Sequence, residues 1–319
     1  MRGVGKAILA ILIAVALIAV AVIVIDPSSL GFKEPNSSNA DSGFDLSKLS
    51  RDPIISEMMG QMDEREIGST VNDLQNFTTR HYGYAGNQAA AVYLFNRLNN
   101  ISGLSVEYQG GELRNVVATF PGQNTTSPLV IVGAHYDSTN DKDQAHAPGA
   151  TDDGGGVAIV LELARIMSQH TYNQTLKFAL WNAEEQGDPT GSTVYVRDLS
   201  ANRTNVSSYI NFDSACYDPE NRFILDIMYN EQSQWVAEMM AQHNALYGIG
   251  FNLTTNTHNC GSDHVPFWNH GYTAVMTHSE THGPAHKSTD TVDKISTAYA
   301  KKNGQLGLSV LATIAGVRA

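Results

Sequence analysis

Apolar positions along the chain follow two periods in turn. NQAAAVYLFNRLNN has the 3.6-residue apolar spacing of an amphipathic helix. RNVVATFPG and SPLVIVGAHYDS read as strands, the second apolar on both faces. GGVAIVLELARIMSQH then predicts a helix, QTLKFALWNAEE a strand and GSTVYVRDL the start of a helix. YINFDSA and RFILDIMY predict strands, SQWVAEMMAQHNALYG a helix, GYTAVMTHS a strand and STAYAKKNGQLGLSVLATIAG a closing helix. Strand alternating with helix implies a sheet covered on both faces. The expected fold class is therefore α/β: a three-layer sandwich whose largely parallel mixed sheet is flanked by helices. Ligands of such sheets collect beyond the strand C-termini.

One run breaks the alternation. Ala7 to Ile25 is apolar throughout, behind Arg2 and Lys6. About 20 such residues span a bilayer as a helix. The expectation is an N-terminal transmembrane helix over residues 1–25. A cleaved signal segment is the competing reading, but Asp26-Pro27 follows at once with no Ala-x-Ala site. Either way the rest of the chain is expected outside the cell, anchored to the membrane or secreted. Residues 26–50, rich in Ser, Asn, Asp, Gly and Pro, read as a flexible stalk, and residues 51–319 as one domain. Candidate glycosylation triplets at Asn36, Asn76, Asn100, Asn124, Asn173, Asn202, Asn205 and Asn252 agree with an external location. Cys216 and Cys260 allow at most one bridge, too few for a disulfide framework. A net charge of −12 without a basic stripe argues against a nucleic-acid partner.

Candidate chemistry gathers where the apolar runs stop. VIVGAHYDS ends in His135-Tyr136-Asp137, and PGATDDGGG sets Asp152 and Asp153 before a helix. WNAEEQG supplies Glu184 and Glu185, INFDS supplies Asp213 and PAHKSTDT supplies His286. Each group alone has an ordinary explanation: a solvated pair, a helix cap or a turn. Together, at strand ends and in this order, they suit metal. Imidazole and carboxylate are zinc ligands. A pair of ions sharing one carboxylate needs about two further ligands each. His135, Asp152, Glu185, Asp213 and His286 make up that number. One of the two adjacent glutamates can coordinate and the other can act as a general base.

These segments resemble the zinc aminopeptidase family typified by secreted bacterial leucyl aminopeptidases and aminopeptidase Y. LQNFTTRHYG, RNVVATFPG, GAHYDS, APGATDDGGG, NAEEQG, NFDS, GSDHVPFW and HKSTDT are similar to family segments in the same order, from about Leu74 to Ala315. The resemblance implies the zinc exopeptidase fold and two Zn2+ per chain, with residues 51–319 as the catalytic domain. Asp152 would bridge the ions. His135 and Asp213 would complete one site, Glu185 and His286 the other. Glu184 would be the general base. Asp137 would orient His135, and Asp153 would stay off the metals. Asp263-His264 would shape the substrate pocket without binding metal, and Met276, His278 and Cys260 would line that pocket. Some relatives carry a tyrosine before the SDH segment. Here THNCGSDH puts His258 or Asn259 nearby, and Cys260 has no close sequence partner. The loop from His278 to His286 is shorter and more polar than in leucine-preferring members, which bears on the side chain accepted.

The implied activity is removal of N-terminal residues from peptides with a free N-terminus, by a hydroxide held between two zinc ions with Glu184 as base. Rivals on the same scaffold are a glutaminyl cyclase and a carboxypeptidase for acidic dipeptides. The carboxypeptidase would need basic groups for a substrate carboxylate, and these loops show no Arg cluster. A surface receptor domain without catalysis is the third alternative. Filled ligand positions argue against it.

Overall fold

The computed structural model describes residues 44–187, 190–256 and 261–318. Three helices come first: α1 (Pro53–Gly60), α2 (Glu64–Gln75) and α3 (Ala85–Asn99). Asp52 starts α1 by accepting a hydrogen bond from Ile54 N (2.7 Å), with Pro53 at the first helical position, where its missing N–H costs nothing. Strands β1 (Ser105–Gln109), β2 (Asn115–Phe120) and β3 (Leu129–His135) follow, then α4 (Gly155–Met167). The rest of the chain is β4 (Thr171–Tyr172), β5 (Leu176–Trp181), α5 (Thr190–Ala201), β6 (Val206–Phe212), β7 (Ile224–Tyr229), α6 (Gln234–Leu246), β8 (Asn252–Asn256), α7 (His264–Asn269), β9 (Ala274–Ser279), α8 (Thr297–Ala315) and β10 (Val317–Arg318).

Eight strands form one mixed sheet in the order β1-β2-β5-β3-β6-β9-β7-β8. The central block β5-β3-β6-β9 is parallel, and antiparallel pairs join it to β2 on one side and β7 on the other. The central strands are nearly continuous buried runs, as expected where helices cover both faces. One face carries the larger core, against α4, α8 and α6. On it α4 is buried along almost its whole length, which explains why it is apolar all round. Its one buried acid, Glu162, is held by Arg165 and by Asp63 N. The other face carries a smaller core in which Trp181, Tyr209 and Phe267 meet α5 and α7. Phe44, Leu46 and Leu49 pack on the larger core, with Phe44 stacked on Trp235 at 5.4 Å.

The expected transmembrane helix over residues 1–25 lies outside the described residues. Among the described residues no helix is long and apolar enough to cross a membrane. The most apolar, α4, has 13 residues and at about 1.5 Å per residue falls well short of a bilayer core of about 30 Å. The 19-residue α8 is long enough but carries Lys301, Lys302 and Gln305 on its exposed side. The fold class is therefore corrected to an α/β sandwich with a mixed sheet and, among the described residues, no membrane span. The expected membrane partner and membrane-anchored location lose their support with it.

Candidate metal centre

The C-terminal ends of β3, β5 and β6 lie side by side, because Gly133 pairs with both Ala179 and Asn211. That register puts His135 at the end of β3, Glu184 and Glu185 just past β5, and Asp213 just past β6. Gly133 is obligatory for the packing beneath them. A Cβ there would come within 2.7 Å of Trp181 Nε1 and 2.9 Å of Tyr209 OH.

Asp152 reaches the same place from the loop before α4. Its backbone is not helical (φ −129°, ψ 94°), and its peptide bond to Asp153 is cis. Two groups hold this loop. Buried Arg80 donates to Tyr136 O (2.7 Å), Pro148 O (2.6 Å) and Gly149 O (2.7 Å). Asp290 accepts from Thr151 N (2.8 Å), Thr151 Oγ1 (2.7 Å) and Asp152 N (3.1 Å). Gly149 sits between them at φ +54°, where a Cβ would lie 2.5 Å from Ser138 Cβ and 2.7 Å from Asp152 O.

Asp152 stands between two imidazoles. Its Oδ1 is 3.2 Å from His135 Nε2, and its Oδ2 is 3.2 Å from His286 Nε2. His135 Nε2 also faces Asp213 Oδ1 at 3.8 Å, and His286 Nε2 faces Glu185 Oε2 at 3.2 Å. The result is two metal-binding clusters that share one carboxylate: His135, Asp152 and Asp213; and Asp152, Glu185 and His286. Donors at about 2.0–2.2 Å from one tetrahedral zinc lie roughly 3.3–3.6 Å apart, close to these spacings. Buried Glu185 Oε1 has no hydrogen-bond partner, which also fits a site built around cations. The donor set and geometry thus suit a pair of zinc ions.

Glu184 belongs to neither cluster. It stands on a single 3-10 turn, Glu184–Gln186, entered through Ala183 in the left-handed region (φ 62°). Asp137 braces that turn: its carboxylate accepts from Glu184 N (3.1 Å) and Glu185 N (3.2 Å). His135 Nδ1 is hydrogen-bonded to the Asp137 backbone carbonyl (3.2 Å), with the Asp137 carboxylate farther off at 3.6 Å. A carbonyl only accepts, so Nδ1 carries the hydrogen and Nε2 is left for a metal.

Charge is crowded here. Burial pushes Glu184 well above the carboxylate range, and the charges of Asp213, Asp263 and Glu185 add to it. Burial and the Asp152 charge raise Glu185 to about 7, against the His286 hydrogen bond. Burial alone would raise Asp152, but His135 and His286 hold it far below its ordinary value. Hydrogen bonds that His286 donates to Asp152 and Glu185 raise it to about 11. In the metal-free protein, protons on the imidazoles do part of the work of cations, and metal binding must displace them.

Other expected positions fall nearby. Met276 and His278 are buried on β9 beside the end of β6. Asp263 and His264 are buried at the start of α7 and belong to neither metal cluster. Cys260 lies outside the described residues. Cys216 is a free thiol buried beneath the Asp152 loop, with Sγ 3.9 Å from both Ala150 O and Thr151 O. A buried relay also ends on Asp213. Trp181 Nε1 donates to Tyr209 OH (2.7 Å), Tyr209 OH to Asn211 Oδ1 (2.7 Å), Asn211 Nδ2 to Ser262 Oγ (2.8 Å), and Ser262 Oγ to Asp213 Oδ2 (2.5 Å).

An α/β sandwich with two carboxylate-linked ligand clusters at the ends of its parallel strands defines a class, the proteins that hold a two-metal centre on this architecture. Residues 115–311 match the model of peptidase family M28, and the chain belongs to that family. It is 32% identical over 177 residues to a probable leucine aminopeptidase of Trichophyton verrucosum (strain HKI 0517), covering 50% of this chain and 46% of that one. The chain thus spans about half the length of that curated relative. LapB from Legionella pneumophila superposes with a TM-score of 0.74 at 20% identity, over 87% of this chain and 78% of that one. A glutaminyl cyclase from Fimbriiglobus ruber superposes with a TM-score of 0.65 at 18% identity, over 78% and 95%. At such identities these two likenesses concern the fold alone.

Proposed function

We propose that the chain is a zinc aminopeptidase, with residues 51–319 as its catalytic domain. One observation carries the reading: the two oxygens of Asp152 face two different histidines, each at 3.2 Å. Asp152 would bridge two zinc ions, with His135 and Asp213 holding one and Glu185 and His286 the other. When bound, such ions polarise a carbonyl and bring the pKa of coordinated water to about 7.

The chain's own residues supply the rest. Glu184 takes a proton from the attacking water and returns it to the leaving nitrogen. A carboxylate beside the attacking water can hold that proton between the two steps. Asp137 keeps Glu184 and Glu185 in place through their amides. The surplus of carboxylates favours a substrate whose free α-amine arrives at the same place, which makes the site an exopeptidase. Arg80 is the buried base of the site, and its nitrogens are committed to loop carbonyls. It therefore offers nothing to a C-terminal carboxylate, which weighs against the carboxypeptidase reading.

Glu184→Gln should keep two zinc ions per chain and lower kcat by about a hundred- to ten-thousandfold on aminoacyl substrates. Metal analysis alongside the kinetics checks both halves of that statement. Wild-type turnover in this variant would refute the general-base assignment. Cyclisation of an N-terminal glutamine, without release of other residues, would replace the reading altogether.

A further inference from the structure

His278 and His282 stand beside the metal centre and belong to neither ligand cluster. Phe212 on β6 pairs with Thr277 on β9. Just past that pair, Asp213 N donates to Thr277 O (3.3 Å) and Ser279 N donates to Ser214 O (3.1 Å). His278 is therefore level with Asp213. Paired residues of neighbouring strands share a face, so His278 points to the side on which Asp213 lies. His278 is 4% exposed, whereas His282 is exposed. Their rings meet edge to face at 4.4 Å, with His278 Nε2 3.1 Å from His282 Nδ1.

This pair has a direction. His278 Nδ1 contacts the Ser279 carbonyl oxygen, which only accepts, so that nitrogen carries the hydrogen. With the hydrogen on Nδ1, His278 Nε2 is the accepting nitrogen of its contact with His282, and burial, which lowers the His278 pKa, acts in the same sense. His282 Nδ1 must then donate to it. The exposed end of the chain is His282 Nε2, which in the neutral ring is an acceptor.

The surroundings are acidic. A cavity of about 130 Å³ opens beside the turn at Glu280 and Thr281, lined among others by Asp218, Glu220 and Arg222. Arg222 is ion-paired to both Glu220 and Glu280, so the acids outnumber the base. Asp226 on β7 stands opposite His278.

We infer that the His278–His282 pair selects N-terminal residues whose side chains donate hydrogen bonds, lysine and arginine foremost, over aliphatic ones. The inference rests on the aminopeptidase reading and names its substrate class. A site built to hydrogen-bond a side chain discriminates strongly against one that cannot reply.

The test uses the zinc-loaded full chain and the 4-nitroanilides of lysine, arginine, leucine and glutamate. The wild type should show kcat/KM for lysine at least about tenfold above leucine, and His282→Phe should cut that ratio by about tenfold. His282 is exposed, so this variant should fold; His278→Phe, which removes the inner half, should act in the same direction. A wild type that prefers leucine or glutamate, or a lysine-to-leucine ratio unmoved by both substitutions, overturns the inference and leaves the aminopeptidase reading standing. If no anilide is cleaved, the aminopeptidase reading falls. Calorimetry with free lysine and free leucine then decides the selectivity: lysine binding lost in His282→Phe upholds it, and equal binding of the two amino acids overturns it.

Discussion

The two halves of the metal centre are built from different materials. His135 and Asp213 extend from adjacent parallel strands, β3 and β6, whose ladder sets their separation. Ser262 fixes the second oxygen of Asp213, and His135 is 1% exposed. Glu185 and His286 come from a short turn and a loop. Ala183, before the turn, and His286 itself both have positive φ, 62° and 59°, and the His286 side chain is 45% exposed. Left-handed backbone costs a non-glycine residue of order 1 kcal/mol and persists only where its surroundings enforce it. One half is thus imposed by the sheet, and the other depends on loops that can give. The inner ion would be held by a rigid frame and the outer one would exchange more readily. Asp152 couples the halves.

That coupling gives the largest expected effect. Asp152→Asn removes the shared anionic ligand from both clusters at once. Zinc content should fall from two ions per chain to one or none, and activity should fall by more than about a thousandfold. Metal analysis after gel filtration, with kinetics on the same sample, reads both. Two ions retained at near wild-type affinity would break the picture of a shared ligand.

The halves themselves should respond unequally. In the metal-free protein, buried His135 lies between buried Asp152 and largely buried Asp213, and removing one partner of a buried pair costs about 3–5 kcal/mol. His286 is half exposed, so water screens its pairs with Asp152 and Glu185 and can partly solvate the carboxylates once it is removed, which makes its loss cost less. Urea unfolding of the metal-free His135→Gln and His286→Gln variants should therefore separate them by a few kcal/mol, although each should lose one zinc ion. Equal losses of stability would mean that the outer half is as rigid as the inner.

The same contrast governs what the amino-acid pattern could reveal. The donors stood out because each follows a long apolar run or opens a glycine-rich turn, and a sheet that aligns strand ends brings such residues together. Their supports carry no such mark. Arg80 and Asp290 act on backbone groups 56 or more residues away, and no local pattern encodes a carbonyl that distant. Ser262 sits 49 positions from the aspartate it braces. Asp137 was legible as a neighbour of His135, yet its carboxylate serves mainly the amides of Glu184 and Glu185, 47 and 48 positions on. The outer strand β1 alternates apolar and polar residues (Val106 and Tyr108 between Ser105, Glu107 and Gln109), but its five residues are mostly exposed and make too short a run to stand out. Helix α7 is only 6 residues long, too short for a helical period to register. The apolar N-terminal run lies outside the described residues, and the described helices are all too short or too polar to span a bilayer.

A histidine far from both halves sharpens what the carboxylates do. His243 on α6 is as buried as His135, but its Nδ1 meets Ser309 Oγ at 3.0 Å and no carboxylate. Burial lowers its pKa from 6.5 to about 4. Burial opposes charge on His135 as well, yet Asp137, Asp152 and Asp213 together hold it well above the ordinary value. The consequences for stability have opposite signs. Above pH 6.5 His243 is neutral in both folded and unfolded chains and costs nothing. As pH falls from 6.5 to 4, the unfolded chain takes up a proton that the folded chain refuses, so stability is lost across that window, up to about 3 kcal/mol. His135 contributes most when protonated: its stabilisation is complete below the unfolded value of 6.5 and persists until pH rises past its folded value. Metal-free His243→Gln should therefore close on the wild type as pH falls from 7.5 to 4.5, while His135→Gln stays behind it by a constant margin from pH 6 downward. Unfolding free energies measured at several pH values would show the two trends. Parallel curves for wild type and His243→Gln would mean that water reaches His243, and burial would then no longer account for the contrast with His135.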